Sequence, residues 1–185
     1  MEQIVKQVVN DLREDFASYP FKYTSSEAEA QYRVFALLES KHIKENITIN
    51  RSGPGGPVPP FENEVSPRLR IEWGFDRRQI NDIVIFKEGV VDPSSYDDVE
   101  AVIEIKSTWG EYPHLDNDGF LKDLRFINKY PKIGFLLAFF GNKFNELSKH
   151  YQDYYNERFE ALKNSQEYSF PSGHVYLIFR DKLIQ

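Results

Sequence analysis

AVIEIKST, residues 101–108, sets a carboxylate and an ammonium two positions apart inside a run of apolar, β-prone residues. On a strand, side chains two residues apart share a face. Val102, Glu104 and Lys106 therefore project one way, and Ala101, Ile103 and Ile105 the other. One face is apolar; the other holds an acid beside a base. What the rest of the chain brings to that second face decides whether it is a solvated sheet surface or a site.

Two β-prone segments precede this strand, RLRIEWGF (68–75) and QINDIVIF (79–86), close enough to form a hairpin, with EGVVDPSSYDD leading on to VEAVIEIKS (99–107). Downstream, Phe120, Leu121, Leu124 and Ile127 recur at helical spacing over 118–130, and Pro131 stops that helix. KIGFLLAFFG, 132–141, is a short continuous apolar run and reads as a strand buried on both faces. A long helix over about 143–164 and a final strand, HVYLIFRDKL, close the chain. Upstream, Ile4, Val5, Val8, Val9, Leu12 and Phe16 predict a helix over 2–18, ending before Pro20. A second helix starts at Ser26, where S-E-A-E is a capping box with Glu29 as partner, and runs to about Lys44. RSGPGGPVPPFENEVSP, 51–67, is too rich in Gly and Pro for regular structure and reads as a surface loop. The order α, α, β, β, β, α, β, α, β with a buried central strand predicts one α/β domain over 1–185, a mixed sheet between two helical layers.

The 185 residues, 41% of them hydrophobic, suffice for one sizeable core. There is no cysteine, so disulfides, thiolate metal sites and cysteine nucleophiles fall away together, and any metal must be held by oxygen or imidazole. MEQIVKQVVNDLREDF lacks the features of a secretory signal, and no apolar run reaches a membrane span, so the expectation is a cytoplasmic protein that does not bind membranes. A net charge of −6 counts against a histone-like binder, but not against an enzyme whose carboxylates are neutralised by a divalent cation. Arg68, Arg70, Arg77 and Arg78, and Lys122, Arg125, Lys129, Lys132 and Lys143, are local basic groups whose default reading is a solvated face.

Asp82, in I-N-D-I-V-I, is a second charge inside a run that should otherwise be core. Charged residues are seldom buried unless paired or bound to metal. If the two strands are neighbours, Asp82 and Glu104 meet with Lys106 beside them. Hard divalent cations take such oxygen ligands, and Mg²⁺ is typically held by one or two carboxylates while it binds substrate phosphate. Lys106 is spaced to hold or deprotonate the attacking water and to hydrogen-bond a phosphate oxygen. Glu39-Ser40-Lys41 repeats E-x-K on a predicted helix, where residues two apart do not face each other, and serves as a control.

An aspartate, then about twenty residues, then E-x-K on the following strand resembles the PD-(D/E)XK nuclease superfamily, the restriction-endonuclease-like fold, on Asp82, Glu104 and Lys106. The order of elements from residue 26 to about 140 is similar to that superfamily's αβββαβ core. Asn81 stands where the motif's name has proline. The resemblance implies that Asp82 and Glu104 bind Mg²⁺ or Mn²⁺, that the carbonyl of Ile105 adds a ligand, and that Lys106 assists the water. It also implies an acid from the helix before the sheet. Glu27 and Glu29 are the candidates, and Glu27 is preferred because it shares a stripe with Ala30, Val34 and Leu38. The implied function is a metal-dependent endonuclease hydrolysing phosphodiester bonds of DNA, of restriction or defence type, with no residue that separates DNA from RNA.

Other chemistries find less support. His42, His114, His150 and His174 form no zinc-binding pair, and Ser172 in F-P-S-G-H lacks a nucleophile elbow. Lys122 and Asp123 read as helix-surface charge, and the tyrosines of HYQDYYNERF as half core. Two alternatives stay open: a catalytically inactive nuclease-fold module that binds nucleic acid or protein, and a small-molecule α/β protein in which the trio is a salt-bridge network. No separate DNA-reading domain fits in the chain, so recognition would come from loops, a homodimer or a partner protein.

Overall fold

A computed structural model describes residues 1–41, 43–49, 64–76, 79–108, 114–129 and 133–185. Helix α1 (Glu2–Ser18) buries Val5, Val8, Val9, Leu12 and Phe16, the stripe its spacing dictates. A short helix, α2 (Phe21–Thr24), follows Pro20, and α3 (Glu27–Lys41) buries Ala30, Val34 and Leu38. The Ser26 hydroxyl accepts from the Glu29 backbone N–H at 3.1 Å, as the capping box requires, while the Glu29 carboxylate accepts from Ser25 instead. The helix ends three residues short of the expected Lys44.

Strands β1 (Asn46–Ile49) and β2 (Glu64–Pro67) pair antiparallel as a small separate sheet. This corrects the expected loop: its last four residues, 64–67, are strand, because their backbone finds partners 15 to 21 positions away, which local composition does not report. The remainder, 51–63, lies outside the described residues.

The main sheet holds β3 (Leu69–Asp76), β4 (Gln79–Phe86), β5 (Val99–Thr108), β6 (Ile133–Phe140), β7 (Val175–Phe179) and β8 (Leu183–Ile184), in that spatial order. The β3–β4, β4–β5 and β7–β8 pairs are antiparallel, and β5–β6 and β6–β7 are parallel. The architecture is thus α/β with a mixed six-stranded sheet flanked by helices. The parallel crossovers run through α4 (Asp118–Lys129) and α5 (Lys149–Lys163). Two expectations at the C-terminal end are refined. Residues 144–146 form a separate 3₁₀ turn before α5, and the single last strand is two, because the chain reverses at Arg180–Lys182.

Each face of the sheet carries its own core. Ile83, Ile103, Ile105, Phe135, Leu137, Phe139 and Ile178 pack against α1 and α3. Leu136, Ala138, Phe140, Val175 and Leu177 pack against Phe120, Leu124 and Ile127 of α4 and Tyr155, Phe159 and Leu162 of α5. Every residue of β6 from Gly134 to Phe140 is buried, as its unbroken apolar run requires. Gly134 has a specific reason: a Cβ there would stand 2.6 Å from the Cβ of Ile127 and 2.8 Å from its Cα, so α4 rests directly on the strand backbone. Among the described residues no helix is long and apolar enough to cross a membrane.

Candidate active site

The β4–β5 ladder runs from Phe86↔Val99 to Ile83↔Ile103 and stops. One step further, Asp82 would face Glu104. Its pairing is interrupted on the other side as well: Ile71 faces Ile83 and Trp73 faces Asn81, but Glu72 between them takes a left-handed φ of 49°. The backbone groups freed by this fork are taken up by side chains. The Asp82 carboxylate accepts from the Ile105 N–H at 2.6 Å, and Gln31 of α3 donates its Nε2 to the Asp82 carbonyl at 2.6 Å. Asp82 is thus a strand residue whose side chain has replaced a strand.

Gln31 is buried, so its loss leaves that carbonyl without a donor and without water. Gln31→Ala is expected to cost about 1–3 kcal/mol, read as a lower urea midpoint with an unchanged m-value.

Glu104 and Lys106 lie on the α4 face of β5, as their register with Leu136 and Ala138 of the buried α4-side cluster requires. Glu104 is only 6% exposed. The Lys106 ammonium lies 2.8 Å from Asp123 Oδ2 on α4, and 3.4 Å from Glu27 Oε1 on α3. The two helices cover opposite faces of the sheet, and both reach the same ammonium because β4 has left the edge of β5 at this level. Ile105 N–H faces the fork, and the C=O of a strand residue faces the same neighbour as its N–H, so the Ile105 carbonyl opens into it too.

Burial pushes the Glu104 carboxyl up to about 9, reinforced by the charges of Asp82 and Asp123. Asp82 is raised to about 6, again by burial first, against the lowering effect of the Ile105 N–H. For Lys106, burial acts downward, but the close contact and charge of Asp123, followed by Glu27 and Asp82, outweigh it and the net direction is up. A carboxyl raised by folding holds its proton more tightly in the native state than in the unfolded chain. Its stabilising contribution is therefore full below the ordinary value of 4.5 and is lost as pH rises toward about 9. Metal-free protein is expected to lose roughly 2 kcal/mol between about pH 5 and about pH 8, and Glu104→Gln to flatten that decline, measured by urea unfolding across the range.

The structure brings Asp82, Glu104, Lys106 and Glu27 to one place. Glu29 is directed elsewhere, to Ser25 and Arg33. Asn81, at the motif's proline position, is fully buried and donates to the Tyr96 hydroxyl at 3.1 Å. Asp123 corrects the reading of it as surface charge: its side chain is 12% exposed and it is the nearest carboxylate to Lys106, whereas Lys122 is exposed as expected. Arg68 is not a solvated cation either, being buried between Glu45 at 3.1 Å and Glu100 at 2.6 Å. Arg125 is paired with Glu167 on the surface. Arg77, Arg78 and Lys132 lie outside the described residues.

Among the described residues no three His, Asp or Glu side chains are grouped as a metal ion would need. The donor chemistry nevertheless fits a hard divalent cation: two carboxyls, both one register step past the last β4–β5 pair, are held above their ordinary range first of all by burial, beside a backbone carbonyl. Comparison of the chain with protein-family models, with curated proteins and with solved structures finds no match.

Proposed function

We propose that this chain is a metal-dependent nuclease of the PD-(D/E)XK superfamily, hydrolysing phosphodiester bonds of DNA. The observation that carries the reading is the interrupted ladder: a helix-covered sheet breaks its own pairing at the level where Asp82 and Glu104 stand opposite one another, with Lys106 two residues along. A sheet built only for stability would continue the ladder and place apolar residues there. With the separate β1–β2 ribbon set aside as an insertion between α3 and β3, the succession α3, β3, β4, β5, α4, β6 agrees with the αβββαβ core of restriction-endonuclease-like domains, with α1 and α2 added before it and α5, β7 and β8 after.

In this reading Asp82 and Glu104 hold Mg²⁺ or Mn²⁺, the Ile105 carbonyl completes the inner side, and Glu27 joins from the rim, where it is 44% exposed and has room to turn. When bound, the ion acidifies water and neutralises charge developing on the phosphate. Lys106 donates a hydrogen bond to the attacking water or to a non-bridging phosphate oxygen. The fork opens beside these groups, along the edge that β5 presents beyond Glu104, so the substrate backbone would lie across the strand edge, between α3 and α4.

One observation favours a second reading, a closed salt-bridge network in a fold without this chemistry: Lys106 already has Asp123 and Glu27 as partners. The two readings separate on incubation of supercoiled, linear and single-stranded DNA with Mg²⁺ or Mn²⁺, together with melting curves in the same ions. Cleavage that requires the ion, and a melting temperature that climbs with its concentration by mass action, support the nuclease. Neither effect leaves the salt-bridge network.

A further inference from the structure

Asp123 occupies a position where a carboxylate is out of place. Phe120, Leu124 and Ile127 form the buried stripe of α4, and Asp123, three residues after Phe120 and four before Ile127, stands in that stripe. Its residue is 8% exposed. A buried ion pair is seldom more stabilising than the apolar residues that could replace it, so stability alone does not account for an aspartate here. Its partner is Lys106, at 2.8 Å.

Lysine carries four rotatable bonds, and an ammonium free to swing is a poor donor to any one oxygen. Two carboxylates flank this ammonium and they differ in kind. Glu27 is 44% exposed, at 3.4 and 3.5 Å, where water screens and competes. Asp123 is closer and nearly enclosed, on a helix pressed against β6 at Gly134, four residues before the Ile127 that makes that contact. The position of α4 is thereby transmitted to the ammonium through one short side chain.

We propose that Asp123 is the positioning residue of Lys106. It holds the ammonium at the fork, preordered to meet a phosphate oxygen or the attacking water, while touching neither metal nor substrate itself. The inference rests on the nuclease reading for its catalytic consequence, and on the ion pair for its structural one.

Two measurements test it. Cleavage by wild type, Asp123→Asn, Lys106→Gln and the double variant forms a cycle. Asp123→Asn is expected to lower kcat roughly 10- to 100-fold with KM and the Mg²⁺ midpoint nearly unchanged, and to add no further loss in the Lys106→Gln background. Separately, acylation of each lysine in the metal-free protein is followed by mass spectrometry. Lys106 is expected to react slowly in wild type and in Glu27→Gln, and at least about fivefold faster in Asp123→Asn. Additive losses in the cycle, or Lys106 labelling indifferent to Asp123→Asn, overturn the proposal. If Asp123→Asn does not fold, the ammonium of wild type reports directly: a Lys106 ¹H–¹⁵N signal, assigned by its loss in Lys106→Gln, marks a pinned group, and its absence at low temperature overturns the tether. A wild type that cuts no substrate overturns the nuclease reading, and the labelling contrast tells that failure from failure of the tether.

Discussion

Glu104→Ala, purified beside wild type, is expected to keep its fold and to lose metal-dependent cleavage by about a thousandfold or more, about 4 kcal/mol of transition-state stabilisation. The carboxylate lies at the centre of the arrangement: on the α4 face, one register step past the last β4–β5 pair, two residues from Lys106. Its removal takes away an anionic donor that Asp82 alone does not replace. The fold should survive because the deleted group is a buried, desolvated carboxyl rather than a packing element, and its loss removes the proton that folding obliges Glu104 to hold above its ordinary range. Melting of Glu104→Ala at about pH 8 should match wild type or exceed it, while Mg²⁺ no longer raises it. Undiminished cleavage by Glu104→Ala would remove β5 from the chemistry. Cleavage lost together with a collapsed melting curve would make Glu104 structural.

The largest expected effect on stability belongs to Gly134. A methyl group there meets the Cβ of Ile127 at 2.6 Å and its backbone carbonyl oxygen at 2.8 Å. The first of these obstacles is a β-branched side chain with little rotamer freedom and the second is helix backbone, so relief requires α4 to lift from the sheet. Gly134→Ala is expected to cost about 3 kcal/mol, a fall in melting temperature of roughly 6–12 °C for a chain of this size. Lifting α4 also draws Asp123 away from Lys106, so catalysis should weaken at temperatures where the variant is still fully folded. A variant as stable as wild type would show that α4 has slack at this contact.

Much of this arrangement is written locally in the chain. The alternation through 101–108 gives β5 its two faces, the unbroken apolar run gives β6 its burial on both, and helical spacing gives α1, α3 and α4. Asp82 and Glu104 stand out because a charge inside a strand-like run is conspicuous at any register. What local patterns do not carry is pairing over distance. NITI and EVSP are four-residue strands, one inside a proline-rich stretch, and each exists only because the other does. The fork itself is invisible in sequence, since it depends on Glu72 adopting φ 49° and on Gln31 reaching a carbonyl 51 residues away. Asp123 was misread because an acid on an amphipathic helix usually faces water. The available signal was its place in the stripe between Phe120 and Ile127.

The fork also orders events in time. Pairing of β3 with β4 and of β4 with β5 joins strands that follow one another in the chain, two and twelve residues apart, and contacts of that local kind form early. The bonds that finish the fork span far more chain, 51 residues from Gln31 to Asp82 and 79 from Glu27 to Lys106. They must wait for α3 to dock. Run backwards, the same inequality makes the Ile105 amide, guarded by one carboxylate rather than by a neighbouring strand, exchange its hydrogen through a small local opening, ahead of Ile103, whose residue lies within the β4–β5 ladder. The stretch of sheet with the most chemistry to offer is the last to close and the first to open.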